Sequence, residues 1–202
     1  MKKTIILFSG LILFITSCSV FNSLMNLSKL KFKLGNVNNF KVGNTLISNK
    51  SKLSDFSAAD ILKLTSQVVS GKFPVSFTVN VLAQNPNKVK TDNSGINNIS
   101  LKSFPWTLYI NDKKTISGNI SNPVNVPAVE NATVIPLEMQ LDLLEFFKGD
   151  GLNNLVNLAL SLGGQEGTSS KIKIVAEPVL GTPMGDKSYP DPITIIDKSF
   201  NQ

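Results

Sequence analysis

The sequence predicts a mainly β chain folded as a two-sheet antiparallel sandwich with two short accessory helices. Three observations carry this. Val75, Phe77, Val79 and Val81 alternate with Ser76, Thr78 and Asn80, the period of a half-buried strand. Short apolar runs of this kind recur along the chain, broken by Pro and Asn. Pro lacks a ladder donor and Asn tolerates turn geometry, so both end strands. Only two stretches, 57–70 and 152–162, read as helices from the spacing of their apolar residues.

In chain order, Leu30, Phe32 and Leu34 alternate with Lys29, Lys31 and Lys33 as a half-exposed strand, and Gly35-Asn36 supplies a turn signal. Val37, Phe40 and Val42 make a second extended piece, continued by Leu46 and Ile47 after Gly43-Asn44. Ser57 is placed to cap the first helix, with Asp60 three residues on near the positive end of its dipole. Ile61, Leu64 and Val68 form its apolar face and Gly71 stops it. The strand from Phe73 ends at Asn85-Pro86-Asn87, and 88–98 reads as a loop. Ile99 and Leu101 begin another strand, and Pro105 to Ile110 is the next. Asn111-Asp112 turns it back into a paired strand over 115–126 that ends at Pro127. Residues 132–144 alternate weakly and then become apolar. Leu152, Leu155, Val156, Leu158, Ala159 and Leu162 form the second helix, read as covering the open end of the sandwich. A membrane-surface helix is the rival reading, disfavoured because the polar face is Asn rather than Lys. After a loop over 165–170, Ile172, Ile174 and Ala176 form a strand, and Ile193, Ile195 and Ile196 the closing one.

Composition removes several chemistries. The chain has no His, and every one of its 20 cations is Lys. Bidentate guanidinium recognition of phosphate or bases is therefore unavailable, and no nucleic-acid partner is expected. A single Cys excludes an internal disulfide and, with His absent, the usual zinc, haem and iron–sulfur ligand sets. Ser-His-Asp and Cys-His catalysis are excluded likewise. No cofactor is expected, and only carboxylate or Lys chemistry remains.

The N-terminus resembles a bacterial lipoprotein signal. Lys2 and Lys3 precede an apolar run from Ile5 to Ile15, and Ile15-Thr16-Ser17-Cys18 matches the order of a lipobox. The run is too short to span a bilayer as a helix, which takes about 20 residues. The resemblance implies that 1–17 is removed, that Cys18 is the lipid-attachment residue, and that 18–27 is a lipidated tether. An ordinary secretory signal with an incidental Cys, or a buried thiol, are the alternatives. Cleavage would leave 18 Lys against 14 acidic residues, a net charge of +4, too mild for a dedicated polyanion site. Ser19 follows the cysteine where an inner-membrane retention signal would carry Asp, which implies the inner leaflet of an outer membrane, facing the periplasm.

The middle of the chain resembles the late-embryogenesis-abundant group-two family, whose domain is also called the water-stress-and-hypersensitive-response domain. Phe77-Thr78-Val79-Asn80-Val81 leads into Asn85-Pro86-Asn87, followed by Leu108-Tyr109-Ile110-Asn111, Gly118, Pro127 and Thr133-Val134-Ile135-Pro136. The likeness covers about 73–147 and, more loosely, 170–196. It implies an immunoglobulin/fibronectin III-like sandwich over 73–197, onto which the strands and helix of 28–72 pack, with no catalytic centre.

Candidate sites read mostly as structural. Asn85, Pro86 and Asn87 form a turn rather than a recognition loop, and Trp106 at the head of an apolar strand belongs to the core. Glu138 and Asp142 share a strand face, with Glu145 on the other, and read as solvated carboxylates rather than an acid–base pair. Gly149-Asp150-Gly151 lacks the alternating acids of a calcium loop, so no metal site is expected. The expectation is a non-enzymatic, lipid-anchored envelope protein that binds or protects envelope components, its partners being membrane lipid through Cys18 and an envelope protein. The alternative is a carrier of an apolar ligand held between 141–162 and the sandwich. An enzyme using only carboxylates and Lys ranks last.

Overall fold

A computed structural model describes residues 30–47, 50, 52–86, 98–128, 131–149, 151–162, 172–182 and 185–195. Cys18, Asn87, Asp150 and Ile196, residues 88–97 of the loop expected over 88–98, and the loop expected over 165–170 lie outside the described residues, while Asn98 already belongs to a strand. The fold is a mainly β antiparallel sandwich, as the patterning predicts.

The first layer has the order β2-β1-β3-β8. Its centre is β3 (Pro74–Gln84), paired on one side with β1 (Lys31–Val42) and on the other with β8 (Thr133–Asp142). Val75, Phe77, Val79, Val81 and Ala83 of β3 are buried, as are Ile135, Leu137, Met139 and Leu141 of β8. The alternate residues face outward, because successive side chains leave a strand on opposite faces. β2 (Thr45–Leu46) pairs only with the end of β1.

β1 departs from strict alternation. Phe32, Phe40 and Val42 are buried with Leu34 and Val37 packed beside them, so its inward positions are spaced two, three, three and two apart. Two bulges absorb the extra residues, one between Leu34 and Val37 and one between Asn38 and Lys41. Gly35-Asn36, a turn signal in the sequence, therefore sits in a bulge of one continuous strand. A Cβ at Gly35 would stand 2.8 Å from the Asn80 carbonyl oxygen, so only glycine fits there without a shift. The 28–72 stretch is accordingly more than an attachment, since β1 is part of the sandwich itself.

The second layer is two ladders that match strand for strand. One has the order β11-β10-β4-β7, the other β12-β9-β5-β6. β4 (Asn98–Ser103) runs into β5 (Trp106–Ile110) through Phe104-Pro105, and β9 (Ile172–Ala176) into β10 (Val179–Thr182) through Glu177-Pro178. β6 (Lys113–Gly118) and β7 (Val124–Pro127) are parted by a break holding Pro123. Pro190 and Pro192 lie between β11 (Gly185–Ser188) and β12 (Ile193–Ile195). Every break carries proline, so the layer is one four-stranded sheet creased across its width where ladder donors are missing. Hydrogen bonds cross the crease from Glu177 N–H to the Pro105 carbonyl and from Tyr189 N–H to the Pro178 carbonyl, both 2.9 Å. Asn119 Oδ1 accepts from the Phe104 N–H at 2.7 Å and replaces a ladder partner. The single strand that the sequence suggests over 115–126 is thus two, divided at the crease.

The layers share one core. Phe32 of β1 approaches Phe104 of the crease at 5.5 Å between ring centroids and Tyr189 at 6.3 Å. Phe40 stacks on Phe77 at 4.9 Å with the rings nearly parallel. At one end α1 (Ala58–Val69) starts at Ser57, whose Oγ accepts from the Asp60 N–H at 3.1 Å, the cap expected from the sequence. α2 (Leu143–Phe146) is a single turn directly after β8, beginning where the stretch 132–144 becomes apolar. α3 (Leu152–Leu162) buries Leu155, Val156, Leu158, Ala159 and Leu160 in the same core and contacts α1.

Phe77 lies in the central strand and carries the Phe40 stack, so Phe77→Ala combines lost transfer energy with a cavity and costs about 3–5 kcal/mol. Chemical denaturation of the two proteins measures this, and a difference below about 1 kcal/mol contradicts the packing described.

Candidate functional site

The outer face of the first sheet is the candidate site. Register places Lys41, Ser76 and Gln140 in one row across β1, β3 and β8, and Asn38, Thr78 and Glu138 in the next. Asn80 in β3 donates to Asn36 Oδ1 in the first bulge at 2.9 Å, and Asn36 donates to Asn38 Oδ1 at the edge of the second at 3.0 Å, linking both bulges to the central strand. Asn39 takes φ +56° within that bulge. The same face holds a depression of about 410 Å³ whose walls include Asn39, Lys41, Ser76, Thr78, Glu138 and Gln140. Phe77 and Met139, whose side chains point into the core, complete its lining.

The chemistry of this face is hydrogen bonding. Around the depression, amides and hydroxyls offer both donors and acceptors, with Lys41 and Glu138 at opposite borders. Lys41 and Glu138 are two strands and one row apart, about 12 Å between Cα atoms from standard sheet spacings. That separation leaves the hydroxyls and amides of the central strands between the two charges. Among the described residues no three Cys, Asp or Glu side chains gather as metal ligands, and no helix is long and apolar enough to cross a membrane.

The residues singled out in the sequence fall in separate places. Glu138 is exposed on the outer face and Glu145 is exposed on α2. Asp142 is half-buried, which corrects its reading as a solvated carboxylate. Its Oδ1 accepts from the Phe73 N–H at 2.8 Å and from the Leu144 N–H at 3.0 Å. It thereby ties the entry of β3 to the exit of β8 and caps α2. The sequence hid this role because the two donors lie far apart along the chain. Asn85 is buried, and its side-chain amide donates to the Val126 carbonyl at 3.1 Å, a structural clamp across the layers.

Trp106 is 5% exposed and lies in the core, as the sequence suggests. Its indole N–H is buried without a hydrogen-bond acceptor. The ring lies over Gly118 of β6, where a Cβ would meet Trp106 Cζ2 at 2.5 Å. Tyr189 was not singled out from sequence. Its hydroxyl donates to the Leu30 carbonyl at 3.3 Å, fastening the first described residue to the crease. Burial pushes the Tyr189 hydroxyl up to about 12 from its ordinary 10. On the flank, Lys173 lies 4.6 Å from the Tyr109 ring centre and 3.4 Å from Asp112, an exposed pair that adds little stability.

Three outcomes follow from these contacts. Asp142→Ala strands two backbone donors and costs about 1–3 kcal/mol by denaturation, Asp142→Asn keeps an acceptor and costs less, and Glu138→Gln stays within about 0.5 kcal/mol. Gly118→Ala destabilises by about 1–3 kcal/mol through overpacking, and much of that loss disappears in the Trp106→Phe background, where the contacted ring atoms are gone. Tyr189 has a folded pKa above its unfolded one, so its contribution is complete below pH 10 and is lost as pH rises toward 12. Stability measured across that window falls more steeply in the parent protein than in Tyr189→Phe.

Comparison with known proteins adds little to this geometry. No family model and no curated protein matches the chain. Among solved structures, one described as a crystal structure of protein from Archaeoglobus fulgidus is similar at 15% identity, covering 83% of this chain and 99% of that one, with a TM-score of 0.32. The X-ray structure of Northeast Structural Genomics Consortium target SoR45 is similar at 9% identity, covering 83% of this chain and 87% of that one, with a TM-score of 0.30. At these TM-scores neither likeness carries an argument.

Proposed function

We propose that the chain is a lipid-anchored envelope protein that binds and shields polar surfaces under drying or osmotic stress, without turning over a substrate. The observation that carries this reading is the outer face of the first sheet. There Asn38, Asn39, Ser76, Thr78, Asn80 and Gln140 present hydrogen-bonding groups that can stand in for water at a drying surface. The lipobox order at Cys18 supports the anchor, and the motif order that resembles the late-embryogenesis-abundant group-two family supports the link to water stress. Placement in the inner leaflet of an outer membrane, facing the periplasm, belongs to the same proposal. The apolar 141–162 stretch puts Leu141, Leu143, Leu155, Val156 and Ala159 into the sandwich core, which favours the shielding reading over a carrier holding a ligand there.

Two measurements test it. A fatty-acid analogue labels the parent protein in cells and does not label Cys18→Ala, while protease added to intact cells leaves the parent uncut. A soluble enzyme dried with the protein keeps more activity than with an equal mass of an unrelated protein, and changing Asn38, Thr78 and Gln140 together to Ala reduces that protection. Label retained by Cys18→Ala contradicts the anchor, and equal protection by the triple variant contradicts the assigned face.

A further inference from the structure

The depression on the outer face of the first sheet is walled by side chains that the fold itself does not use. Asn39, Lys41, Ser76, Thr78, Glu138 and Gln140 border its volume of about 410 Å³. Among the described residues, none of these six side chains makes a hydrogen bond or an ion pair. Asn36, Asn38 and Asn80 lie directly beside them and are bonded to one another. The second bulge builds one border. It adds one residue between Asn38 and Lys41, so Asn39, at φ +56°, joins the wall while Lys41 returns to register opposite Ser76. Lys41 and Glu138 are exposed, and Ser76 and Thr78 are half-buried between them on β3.

We propose that the depression binds a short peptide with free ends, its carboxylate at Lys41 and its ammonium at Glu138. The proposal rests on the reading of this face as a binding surface and names its ligand. The two charges stand at opposite borders, about 12 Å apart between Cα atoms. With about 3 Å taken up by the charged hydrogen bond at each end, a bridging ligand carries its own charges about 6 Å or more apart. An extended chain advances about 3.3–3.6 Å per residue, so two or three residues span the gap. A single amino acid, whose charges flank one carbon, is too short.

Charge and hydrogen bonding favour a peptide over a neutral polyol. Lys41 and Glu138 stand farther apart than the Debye length of about 8 Å at physiological salt, so they do not satisfy each other. A ligand charged at both ends complements both, whereas a polyol leaves both unpaired. Between the charges, the hydroxyls of Ser76 and Thr78 and the amides of Asn39 and Gln140 offer donors and acceptors for peptide N–H and C=O groups. Phe77 is 3% exposed, so the floor offers no aromatic face for a sugar ring to stack on. The peptide crosses the strands from β8 toward β1, held by side chains rather than by ladder groups at a sheet edge. Exposed ion pairs are weak, so each end adds about threefold to affinity, and binding falls as salt rises.

The test titrates the full chain, purified in detergent, with trialanine and reads binding by ligand-observed magnetic resonance, which suits a weak complex. Trialanine binds, and alanine, N-acetyl-trialanine and trialanine amide each bind about threefold or more weakly. Glu138→Gln weakens trialanine by about the same factor and leaves N-acetyl-trialanine unchanged, because a contact already removed is not lost twice. Lys41→Gln does the same for trialanine and its amide. Both side chains are exposed, so the two variants keep the parent's melting temperature. Absence of trialanine binding, equal affinity for the capped forms, or a Glu138→Gln effect as large on the N-acetyl form each overturns the proposal. So does a neutral disaccharide that binds more tightly than trialanine and ignores both substitutions. Trialanine that does not bind, with drying protection that still depends on Asn38, Thr78 and Gln140, sinks the ligand and spares the shielding reading. Trialanine that binds as described, with equal protection by the triple variant, sinks the shielding reading and upholds the ligand.

Discussion

The structure depends on the burial of one face of β3. Val75, Phe77, Val79, Val81 and Ala83 form an unbroken inward row, and ladders flank it on both sides. With one cysteine in the chain there is no internal disulfide to share the load, and the ion pair of Lys173 with Asp112 is exposed. Stability therefore rests on apolar area removed from water and on the hydrogen bonds that permit that removal. A one-residue slip against β3 would turn a neighbour's apolar set to solvent. β1 avoids this with two bulges, each absorbing a residue that would otherwise invert the strand.

The second layer meets the same demand by bending. Its proline-bearing breaks lie along one line, and the crease lets a four-stranded sheet present Phe104, Trp106, Leu108 and Leu101 to a single core. Proline alone would leave a seam of unpaired groups. Asn119, together with the bonds from Glu177 and Tyr189, supplies partners at the seam. The ends of the sandwich are fastened by polar clamps that share a design. Asp142 ties Phe73 to Leu144, Asn85 ties the exit of β3 to Val126, and Tyr189 ties Leu30 to the crease. Each is a local group whose partner is distant in sequence.

The core uses most of the large apolar side chains, so the surface differentiates by what it leaves outside. The outer face of the first sheet is rich in amides and hydroxyls. The outward face of α1 exposes Ala58, Leu62 and Val69, and its Thr65 and Ser66 hydroxyls bond to their own helix.

Local pattern in the sequence determined the elements. Period-two burial in β3 and β8, the Ser57 cap, the Asn111-Asp112 hairpin and both longer helices were legible because each rests on contacts a few residues apart. The core position of Trp106 was legible for the same reason, whereas the bond from Asn85 to the distant Val126 carbonyl was not. Tertiary structure decided the rest. It converted Gly35-Asn36 from a turn into a bulge, since only pairing with β3 fixes where β1 must stay in phase. It split 115–126 at the crease and made 31–42 part of the first sheet. It drew Asp142 into a clamp and assembled the outer face from three strands that are separated in the chain. Periodicity reports which side of its own element a residue occupies; partners, register and shared faces arise only when distant strands pair.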